Sequence, residues 1–452
     1  MQVLHVAHGC SPENTGGIET YLRALLPAQR ASGIEPALVT GSLELAGQPT
    51  VTRSEMDGCP MFQIQRDDWF FDHYAHSYHP GVSRLFRELV AQRRPDVVHL
   101  HQWVRLSSDM VAIARALDVP VVVTLHDVYT SCPRAFRLHR DGNPCTRPLS
   151  VANCAPCVPR FGHETEGEVE GAIELFAQQY RAELRMADRV LVPVGATADL
   201  LSATLGVPRE RFTVLELCYP RRFAGRRGPP GEAAERELRF GYWGSLTRHK
   251  GPGVLIEAVR RIVAEPAGTV GPFTTLLFGA MSDEAFGAEL RRAAEGLPVA
   301  FHGRFDHTDV QRAELDVGVF PSVCFETFGL ALTECFELGL PAVVSDLGAL
   351  PDRVGDAGLK VPAGDSAALA DAMLRLLRDP ALRQRLAAHI PPLPPTPEEH
   401  AAALAGVYRD ASAGPHPPVE VVPAEARAQL LVRQRESLAA ALRAAAGRRD
   451  PQ

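Results

Sequence analysis

Two successive runs of alternating segments constrain the fold most strongly: short apolar stretches separated by amphipathic stretches of helical length. In the first half, apolar stretches of strand length lie at Val3–Ala7, Pro36–Thr40, Val97–Leu100, Val121–Leu125 and Arg189–Pro193. Helical stretches between them include Ile18–Ala31 and Val82–Arg93. Strands that alternate with helices favour a parallel sheet covered by helices on both faces.

The same alternation starts again near residue 238. Its predicted strands are Phe240–Tyr242, Thr274–Phe278, Ala300–Phe301, Val317–Phe320 and Ala342–Ser345. Its predicted helices are Pro252–Ala264, Asp283–Glu295, Gly329–Leu338 and Ala367–Arg378. A chain of 452 residues is too long for one ordinary core. We therefore predict two Rossmann-like α/β domains, 1–219 and 238–390, joined by a linker rich in Arg, Gly, Pro and Glu at 220–237.

The C-terminal part departs from this pattern. Five prolines between positions 391 and 397 exclude a helix there, and Glu398–Arg409 is predicted to form a short helix. The stretch 391–410 is a candidate for returning to the N-terminal domain. Residues 411–452 are predicted to form an extension that is partly disordered or helical.

Charge and hydropathy exclude several classes of protein. The net charge of −7 is mild, so the chain lacks the basic footprint of a nucleic-acid-binding protein. No apolar run approaches the roughly 20 residues that span a bilayer. The first apolar stretch, Val3–Ala7, follows no basic segment of a secretion signal. We therefore expect a cytoplasmic protein without a transmembrane segment, and nothing in the sequence indicates its oligomeric state.

The strongest local signal for chemistry is the segment Pro321–Glu334, which reads PSVCFETFGLALTE. A predicted strand ends just before it and a helix is predicted to begin near Gly329, at the carboxyl edge of a parallel sheet where such folds bind ligands. The first N–H groups of that helix form an anion site. Glu326 and Glu334 lie before and after this anion site, about 12 Å apart along a helix. That span would place one carboxylate on a sugar and the other on a ribose, with a diphosphate between them. The alternative is a helix capped by Thr327 with Glu334 on a solvated face.

A second candidate anion site is the turn GYWGSLTRHKG at 241–251, which precedes helix Pro252–Ala264. Arg248 and Lys250 in this turn can neutralise a diphosphate without a metal ion. Only two of the 47 basic residues are lysines, Lys250 and Lys360. A lysine retained in so arginine-rich a chain favours a function for its compact ammonium group. A surface turn with solvated cations is the alternative.

Two further candidates lie in the first half. Gly16 and Gly17 follow the first predicted strand and allow a ligand to approach the backbone closely, although a plain turn is the alternative. His126 follows the end of another predicted strand, where its imidazole can contact a reacting sugar. A lone histidine is more often structural.

Several other nucleotide-binding motifs are absent from the sequence. The chain contains no G-x-G-x-x-G, which disfavours nicotinamide and flavin binding of the usual type. Neither lysine follows a glycine, so there is no P-loop. No D-x-D occurs, so the simplest carboxylate motif for a metal-bound diphosphate is missing. A diphosphate site without a metal is the most economical interpretation.

Together these segments resemble the family 4 retaining glycosyltransferases of GT-B fold, over roughly residues 1 to 410. The resemblance rests mainly on the E-x7-E segment from Glu326 to Glu334. Supporting segments are GGIE at 16–19, PDVVHLH at 95–101, His126-Asp127, Lys250-Gly251, FHGR at 301–304 and GLPAVVSD at 339–346. It implies two Rossmann-like domains that face each other across a cleft, the N-terminal one binding the acceptor and the C-terminal one the nucleotide sugar.

The resemblance also implies a role for each matching residue. Glu326 would contact the hydroxyl groups of the donor sugar, Glu334 would hold the nucleotide ribose, and the helix start between them would bind the diphosphate. His126 would lie near the sugar, so His126 and Glu326 are the predicted catalytic residues. The remaining predicted donor-binding residues are Gly16, Gly17, Ser245, Arg248, Lys250, Arg304, Thr327, Phe328, Gly329 and Leu330.

One position departs from the family pattern. Many members carry arginine directly after the glycine that opens the basic turn, whereas this chain has Ser245 there. Arg248 is a candidate to replace that arginine from a later point in the turn.

Four cysteines, Cys132, Cys145, Cys154 and Cys157, lie within 26 residues of a loop-rich stretch. A C-x2-C with two further cysteines fits a tetrahedral zinc site, and an iron–sulfur cluster would use the same ligands. Four reduced thiols in a flexible loop are the alternative. Some glycosyltransferases of this type have a similar Cys-rich insertion, which here would span 132–180. We predict a structural zinc ion that takes no part in the chemistry.

The predicted reaction moves a sugar from a UDP- or GDP-sugar to a hydroxyl of a small-molecule or saccharide acceptor, in natural-product or polysaccharide biosynthesis. Retention of configuration is implied by the resemblance, and no cofactor is expected for catalysis. Two alternatives remain open. One is a sugar-nucleotide epimerase or hydrolase of the same fold, and the other is a catalytically inactive binding protein that resembles a glycosyltransferase.

Overall fold

A computed structural model of the chain describes residues 1–14, 16–68, 73–223 and 237–420, with 427, 430–432, 435 and 439 beyond them. Most of the predicted linker 220–237, and most of the predicted extension beyond residue 420, lie outside these ranges. The chain divides into two compact units. The first contains Met1–Arg137, Thr146–Cys218 and the chain from Pro397 onward, and the second contains Leu138–Cys145 and Tyr219–Thr396.

The first unit is built on an eight-stranded sheet. Its strands are β1 (Gln2–Ala7), β2 (Glu35–Leu45), β3 (Thr50–Met56), β4 (Cys59–Arg66), β5 (Val97–Leu100), β6 (Val121–Thr124), β7 (Arg189–Val192) and β8 (Phe212–Val214). They lie in the order β3-β4-β2-β1-β5-β6-β7-β8, and every neighbouring pair is parallel except β3 with β4. The predicted parallel sheet of this half is confirmed.

Among the described residues, six α-helices of the first unit lie between residues 17 and 205. They are α1 (Gly17–Ala31), α2 (Pro80–Arg93), α3 (Met110–Arg115), α4 (Val151–Cys154), α5 (Glu166–Met186) and α6 (Gly195–Leu205). The longest, α5, begins at a capping box in which Thr165 and Glu168 satisfy each other's backbone N–H groups. It packs against α3 and α4.

The second unit is built on a six-stranded sheet whose neighbouring strands are all parallel. Its strands are β9 (Leu238–Trp243), β10 (Phe273–Phe278), β11 (Val299–Gly303), β12 (Val317–Phe320), β13 (Ala342–Ser345) and β14 (Gly358–Val361). Its helices are α7 (Pro252–Val263), α8 (Glu284–Ala293), α9 (His307–Arg312), α10 (Leu330–Glu337), α11 (Leu350–Val354), α12 (Ser366–Arg378) and α13 (Pro380–Ala388). The predicted second α/β domain is therefore confirmed.

Local sequence explains how α7 forms and packs. Pro252 occupies the first helical position, where its missing N–H removes no hydrogen bond. Leu255, Ile256, Val259 and Ile262 recur at helical spacing and are each buried to 1% exposure or less in the core on one face of the sheet. A separate core that includes α10 covers the other face. The sheet is thus apolar on both sides, as its strand sequences predict.

A last helix, α14 (Pro397–Ala413), belongs to the first unit. The hydroxyl of Tyr21 on α1 lies 2.8 Å from Nε2 of His400, and the amide of Gln29 donates to the hydroxyl of Tyr408 at 3.0 Å. The short helix predicted at Glu398–Arg409 is confirmed with slightly wider bounds. Among the described residues, no helix combines the length and the apolarity needed to cross a bilayer.

Candidate active site

The candidate residues of the second unit lie at the point where the strand order reverses. The chain leaves β9 towards β10 on one side of the sheet and leaves β12 towards β13 on the other. The connections after these adjacent strands separate at the carboxyl edge of the sheet, which is where open α/β folds bind ligands. The basic turn follows β9 and the loop before α10 follows β12. The backbone N–H of Val323 donates to the carbonyl of His249 at 2.9 Å, so the two predicted motifs are in contact.

Lys250 and Glu326 form the central ion pair of this region. Nζ of Lys250 lies 2.5 Å from Oε1 of Glu326, and the same oxygen accepts a hydrogen bond from the hydroxyl of Ser322 at 2.7 Å. Burial would raise the pKa of Glu326, but Lys250 and the two hydrogen bonds lower it. Burial would lower the pKa of Lys250, but the carboxylate raises it. Both groups are therefore charged at neutral pH.

Gly251 allows the basic turn to lie directly against the loop. Its φ is +75°, and a Cβ atom at this position would lie 1.9 Å from the carbonyl oxygen of Pro321. Both the conformation and the close approach require glycine. Gly251 therefore lets the basic turn that carries Lys250 pack against the loop that carries Glu326.

The start of α10 has no side-chain cap. Its N-cap residue is Gly329, with φ +76°, rather than Thr327, and a glycine N-cap provides no side-chain hydrogen bond to the first turn. Arg353 holds the preceding turn by donating to the carbonyl of Phe328 and, at 3.0 Å, to the hydroxyl of Thr333. An uncapped helix N-terminus carries N–H groups and a partial positive charge that favour an anionic ligand.

Glu334 lies in a buried, hydrogen-bonded position. Its side chain is about 10% exposed, and it accepts from Nε1 of Trp243 at 2.8 Å. Nε2 of His307 lies 3.1 Å from its other oxygen, and Nε of Arg222 lies 3.6 Å from that oxygen. The alternative that Glu334 sits on a solvated helix face is therefore wrong. The bound carboxylate is oriented by side chains from other elements.

The remaining predicted donor-binding residues of this unit are positioned less centrally. Arg248 donates to Glu289 at 2.7 Å and stacks 4.2 Å from the ring centre of Phe286. The carbonyl of Ser245 accepts from the hydroxyl of Tyr242 at 2.8 Å. Arg304 is exposed after β11. Their proposed contacts with a donor remain predictions.

In the first unit, the structure places His126 just beyond the carboxyl end of β6. Its Nε2 lies 3.0 Å from Nδ1 of His101, and the ring of Tyr21 contacts it edge-on at 4.8 Å between ring centres. Burial lowers the pKa of His126 to about 3. Gly16 is the N-cap of α1, and Gly17 is its first residue.

Comparison with known proteins identifies the family. A family model described as glycosyl transferase 4-like domain matches residues 16–218, and one described as glycosyl transferases group 1 matches residues 237–379. These ranges cover most of both units. The chain belongs to the family 4 glycosyltransferases. It is therefore an enzyme that transfers glycosyl groups.

Two relatives of this glycosyltransferase illustrate the range of activities named in the family. The phosphatidyl-myo-inositol mannosyltransferase of Mycobacterium leprae is 29% identical over 320 residues, which cover 69% of this chain and 72% of the relative. The D-inositol 3-phosphate glycosyltransferase of Arthrobacter sp. (strain FB24) is 26% identical over 395 residues, which cover 82% and 84% of the two chains.

Solved structures establish the fold of the glycosyltransferase as GT-B. Sucrose-phosphate synthase from Thermosynechococcus elongatus aligns with a TM-score of 0.60 and 20% identity, covering 91% of this chain and 96% of the other. The catalytic domain of starch synthase IV from Arabidopsis thaliana, bound to ADP and acarbose, aligns with a TM-score of 0.60 and 15% identity, covering 91% and 99%. At these identities the similarity shows the fold.

The structural zinc predicted for this glycosyltransferase is not supported. Among the described residues, the groups of three or more candidate ligand atoms within 4.8 Å of one another contain none of the predicted ligands Cys132, Cys145, Cys154 and Cys157. The buried guanidinium of Arg137 lies in this segment instead and donates to the carbonyls of Ser131 and Arg147. The guanidinium of Arg137 thereby links the backbone at Ser131 to the backbone at Arg147.

Sequence reasoning missed the partners of Glu334. Trp243 and His307 reach the carboxylate from positions 91 and 27 residues away along the chain. The feature that could have identified Trp243 is its position at the end of β9, which is the strand adjacent to β12 where the strand order reverses. That adjacency emerges only when the sheet is assembled.

Proposed function

We propose that this glycosyltransferase moves a sugar from a UDP- or GDP-sugar to a hydroxyl of a small-molecule or saccharide acceptor. The proposed transfer retains the anomeric configuration and uses no catalytic metal. The observation that carries the proposal is the Lys250–Glu326 ion pair, which lies beside the uncapped start of α10. This arrangement offers positive charge for a diphosphate and a carboxylate for sugar hydroxyl groups in the same place.

The diphosphate is the group that this site can stabilise best. When the bond between the anomeric carbon and the phosphate oxygen breaks, negative charge grows on the departing diphosphate. The ammonium group of Lys250 and the first N–H groups of α10 are fixed before the reaction, so they stabilise that charge without reorganisation. The ADP in the starch synthase structure of the same fold supports a nucleoside diphosphate donor.

Glu334 suits the ribose of the donor nucleotide. Trp243 and His307 hold the carboxylate of Glu334 in place. Glu326 and Glu334 belong to the same connection between β12 and β13, one before and one after the start of α10. A carboxylate accepts hydrogen bonds from both hydroxyl groups of a ribose. The two glutamates then bracket the diphosphate, as their spacing predicts.

A metal-independent mechanism is supported by the chemistry of the residues present. The chain contains no D-x-D, and among the described residues of the second unit no three candidate ligand atoms lie within 4.8 Å of one another. Lys250 supplies the charge that a metal would otherwise supply. For retention, we propose an oxocarbenium-like transition state in which the leaving diphosphate accepts the proton of the acceptor hydroxyl.

The acceptor class is suggested by the relatives. Both named relatives carry inositol in their names, one as a phosphatidyl-inositol and one as an inositol phosphate. An inositol presents ring hydroxyl groups like those of a saccharide. We therefore propose inositols, inositol phosphates and saccharides as the first acceptors to test.

The test uses the purified full-length chain, UDP- and GDP-sugars, these acceptors, and excess EDTA. We expect transfer in EDTA, with a product whose anomeric proton shows the same configuration as the donor. Donor consumption without acceptor would instead support the hydrolase or epimerase alternative, and metal-dependent transfer would refute the metal-free mechanism. A Glu326→Ala variant with normal turnover would refute the site, with Glu284→Ala, at an exposed position of α8 in the same unit, as the matched control.

A further inference from the structure

Glu326 is held by three connections at the carboxyl edge of the second sheet. Nζ of Lys250, in the turn after β9, lies 2.5 Å from its Oε1. The hydroxyl of Ser322, in the loop after β12, donates to the same oxygen at 2.7 Å. After β13, the backbone N–H of Ala349 donates to the carbonyl of Glu326 at 2.8 Å, and a Cβ atom on Gly348 would lie 2.5 Å from that carbonyl oxygen. Both the backbone and the side chain of this glutamate are therefore held in place.

The two oxygens of the Glu326 carboxylate have different surroundings. Oε1 accepts from an ammonium group and from a hydroxyl group. Among the residues that the structure describes, none donates to Oε2. Because Oε2 is not one of the fully buried polar atoms that lack a partner, and the side chain is 16% exposed, this oxygen is in contact with solvent. One oxygen is thus bound by the protein and the other is open to a ligand.

The hydroxyl of Ser322 orients the carboxylate in a way that Lys250 alone does not. An ammonium group is a point charge on a flexible stem, so it attracts either oxygen from a range of positions. The side chain of Lys250 is 32% exposed, and it is also the proposed cation for the diphosphate. Ser322 is buried, and its short side chain reaches the carboxylate from four residues before Glu326. Its hydrogen bond therefore determines the rotation of the carboxylate.

The charge of the carboxylate limits what the open oxygen binds. Burial would raise the pKa of Glu326, but Lys250 and the hydrogen bond from Ser322 lower it, so the group is ionised. An ionised carboxylate accepts hydrogen bonds and has no proton to donate. Oε2 therefore binds a group that carries a proton, such as a sugar hydroxyl. A hydrogen or fluorine atom in the place of that hydroxyl provides no such proton.

We propose that Ser322 is a positioning residue that binds Oε1 of Glu326, so that Oε2 faces the donor sugar and selects donors that carry a hydroxyl group there. The inference rests on the proposed function, in which Glu326 contacts the sugar. Ser322 acts on the substrate only through Glu326. Its loss should therefore weaken recognition of the sugar and leave recognition of the nucleotide unchanged.

The hydrogen bond from Ser322 can be measured without any substrate. The full-length chain is labelled with ¹³C at Cδ of glutamate, and the signal of Glu326 is assigned by comparison with Glu326→Gln. A hydrogen bond to the ionised form lowers the pKa of a carboxyl group, so the pKa of Glu326 should be higher in Ser322→Ala than in wild type. Equal pKa values in these two proteins would overturn the inference. Other titratable groups near the carboxylate are kept in every variant, namely Lys250, His249, Cys324 and Tyr242.

Ser345→Ala is the matched control for Ser322→Ala. Ser345 is a buried serine at the end of β13, on the strand adjacent to β12. Among the described residues, its hydroxyl has no hydrogen-bond partner. The same substitution there removes a buried hydroxyl at the same edge of the sheet without removing a contact to Glu326. We expect the pKa of Glu326 and the affinity for donors to equal those of wild type.

Calorimetric binding measurements test the role at the sugar. The ligands are UDP, GDP, UDP-glucose and GDP-mannose. We expect Ser322→Ala to bind whichever nucleotide sugar wild type prefers about tenfold more weakly, as for the loss of one hydrogen bond to a charged group. The affinity for the matching free nucleotide should not change. A purely structural defect of the loop would weaken both, since the diphosphate lies beside the same loop. An equal loss for both ligands, or no loss for either, would overturn the inference.

Monodeoxy analogues of the preferred nucleotide sugar provide the sharpest comparison. In wild type, one analogue should bind more weakly than the others because it lacks the hydroxyl that Oε2 binds. The same analogue should be disfavoured less in Ser322→Ala, since contacts that depend on each other are not additive. Ser322→Thr keeps a hydroxyl and should restore the discrimination. Equal binding of all the analogues by wild type would overturn the inference.

The outcomes also separate this inference from the proposed function. A chain that binds neither UDP nor GDP would refute the proposed function and with it the role at the sugar. A chain that binds its nucleotide sugar equally well in wild type and in Ser322→Ala would refute only the positioning role. If Ser322→Ala does not fold, Ser322→Cys replaces it, because a thiol fills a similar volume but donates weakly. The comparison of deoxy analogues in wild type needs no variant.

Discussion

Lys250 and Glu326 are 76 residues apart in the chain, yet Nζ and Oε1 of their side chains lie 2.5 Å apart at the point where the strand order of the second unit reverses. The basic turn after β9 and the loop after β12 supply one partner each. Gly251 permits this contact because no other residue fits against the carbonyl of Pro321. The ion pair thus connects the two motifs that the sequence offers separately.

Loss of the ammonium group should abolish most of the activity. We expect Lys250→Met to lower kcat/KM by at least about 100-fold, because the departing diphosphate loses its fixed cation. The matched control is Lys360→Met, since Lys360 is the other lysine of the chain and is exposed on β14. Steady-state kinetics with a nucleotide sugar provide the measurement. Equal activity of the two variants would contradict the role of Lys250.

The ion pair should also make stability depend on pH in a defined direction. The pKa of Glu326 is lower in the folded state than its unfolded value of about 4.3. Its stabilisation is therefore present above that value and is lost as pH falls through the folded pKa. At neutral pH the melting temperature of wild type should be higher than that of Glu326→Gln. This difference in melting temperature should become smaller at acid pH.

The control for this pH dependence is Glu88→Gln, because the Arg84–Glu88 pair is about 60% exposed on both sides. Exposed pairs contribute little to stability, so its melting temperature should match that of wild type throughout. A gap for Glu326→Gln that widened towards acid pH would show that Lys250 does not favour the ionised carboxylate.

The hydrogen bond from Trp243 to Glu334 should affect donor binding more than chemistry. Trp243→Phe keeps an aromatic ring against Phe320 but removes the N–H donor. We expect the donor KM to rise about tenfold with little change in kcat, as for a charge-assisted hydrogen bond of about 1.5 kcal/mol that acts equally on ground and transition states.

Trp103→Phe provides the comparison for that variant. Trp103 also donates its indole N–H, at 2.9 Å, to a buried glutamate, Glu183, in the first unit. Its loss should lower the melting temperature without changing the donor KM. A kcat effect of Trp243→Phe as large as its KM effect would assign Glu334 to the reacting centre rather than to the ribose.

Two neighbouring glycines should respond oppositely to alanine. In Gly251→Ala the new methyl group would collide with the carbonyl of Pro321, and φ +75° disfavours any side chain. We expect a loss of more than about 2 kcal/mol in the free energy of unfolding. Gly253 lies in the first turn of α7, and the nearest atom to the new methyl group in Gly253→Ala would be 3.9 Å away. The free energy of unfolding should therefore stay equal or rise slightly. Denaturant unfolding measures both.

Elements with a strong local pattern were predictable. The helix predicted at Ala367–Arg378 is α12, and the apolar stretch at Ala342–Ser345 is β13 with unchanged bounds. By contrast, β3 has a mostly polar and exposed sequence that is typical of a loop, and it forms because its backbone pairs with β4 along an edge. Its hydrogen-bond partner, rather than its own composition, makes it a strand.

The sequence by itself determined the two parallel sheets, the helix start at Gly329 and the presence of Glu326 and Glu334 on either side of it, because periodicity and turn chemistry act between near neighbours in the chain. Only the tertiary structure decided that Lys250 pairs with Glu326 while Arg248 pairs with Glu289, and that the guanidinium of Arg137 binds the carbonyls of Ser131 and Arg147. Such pairings depend on which elements become adjacent in space. Burial then determines which of those contacts are strong, because a charge removed from water requires a partner.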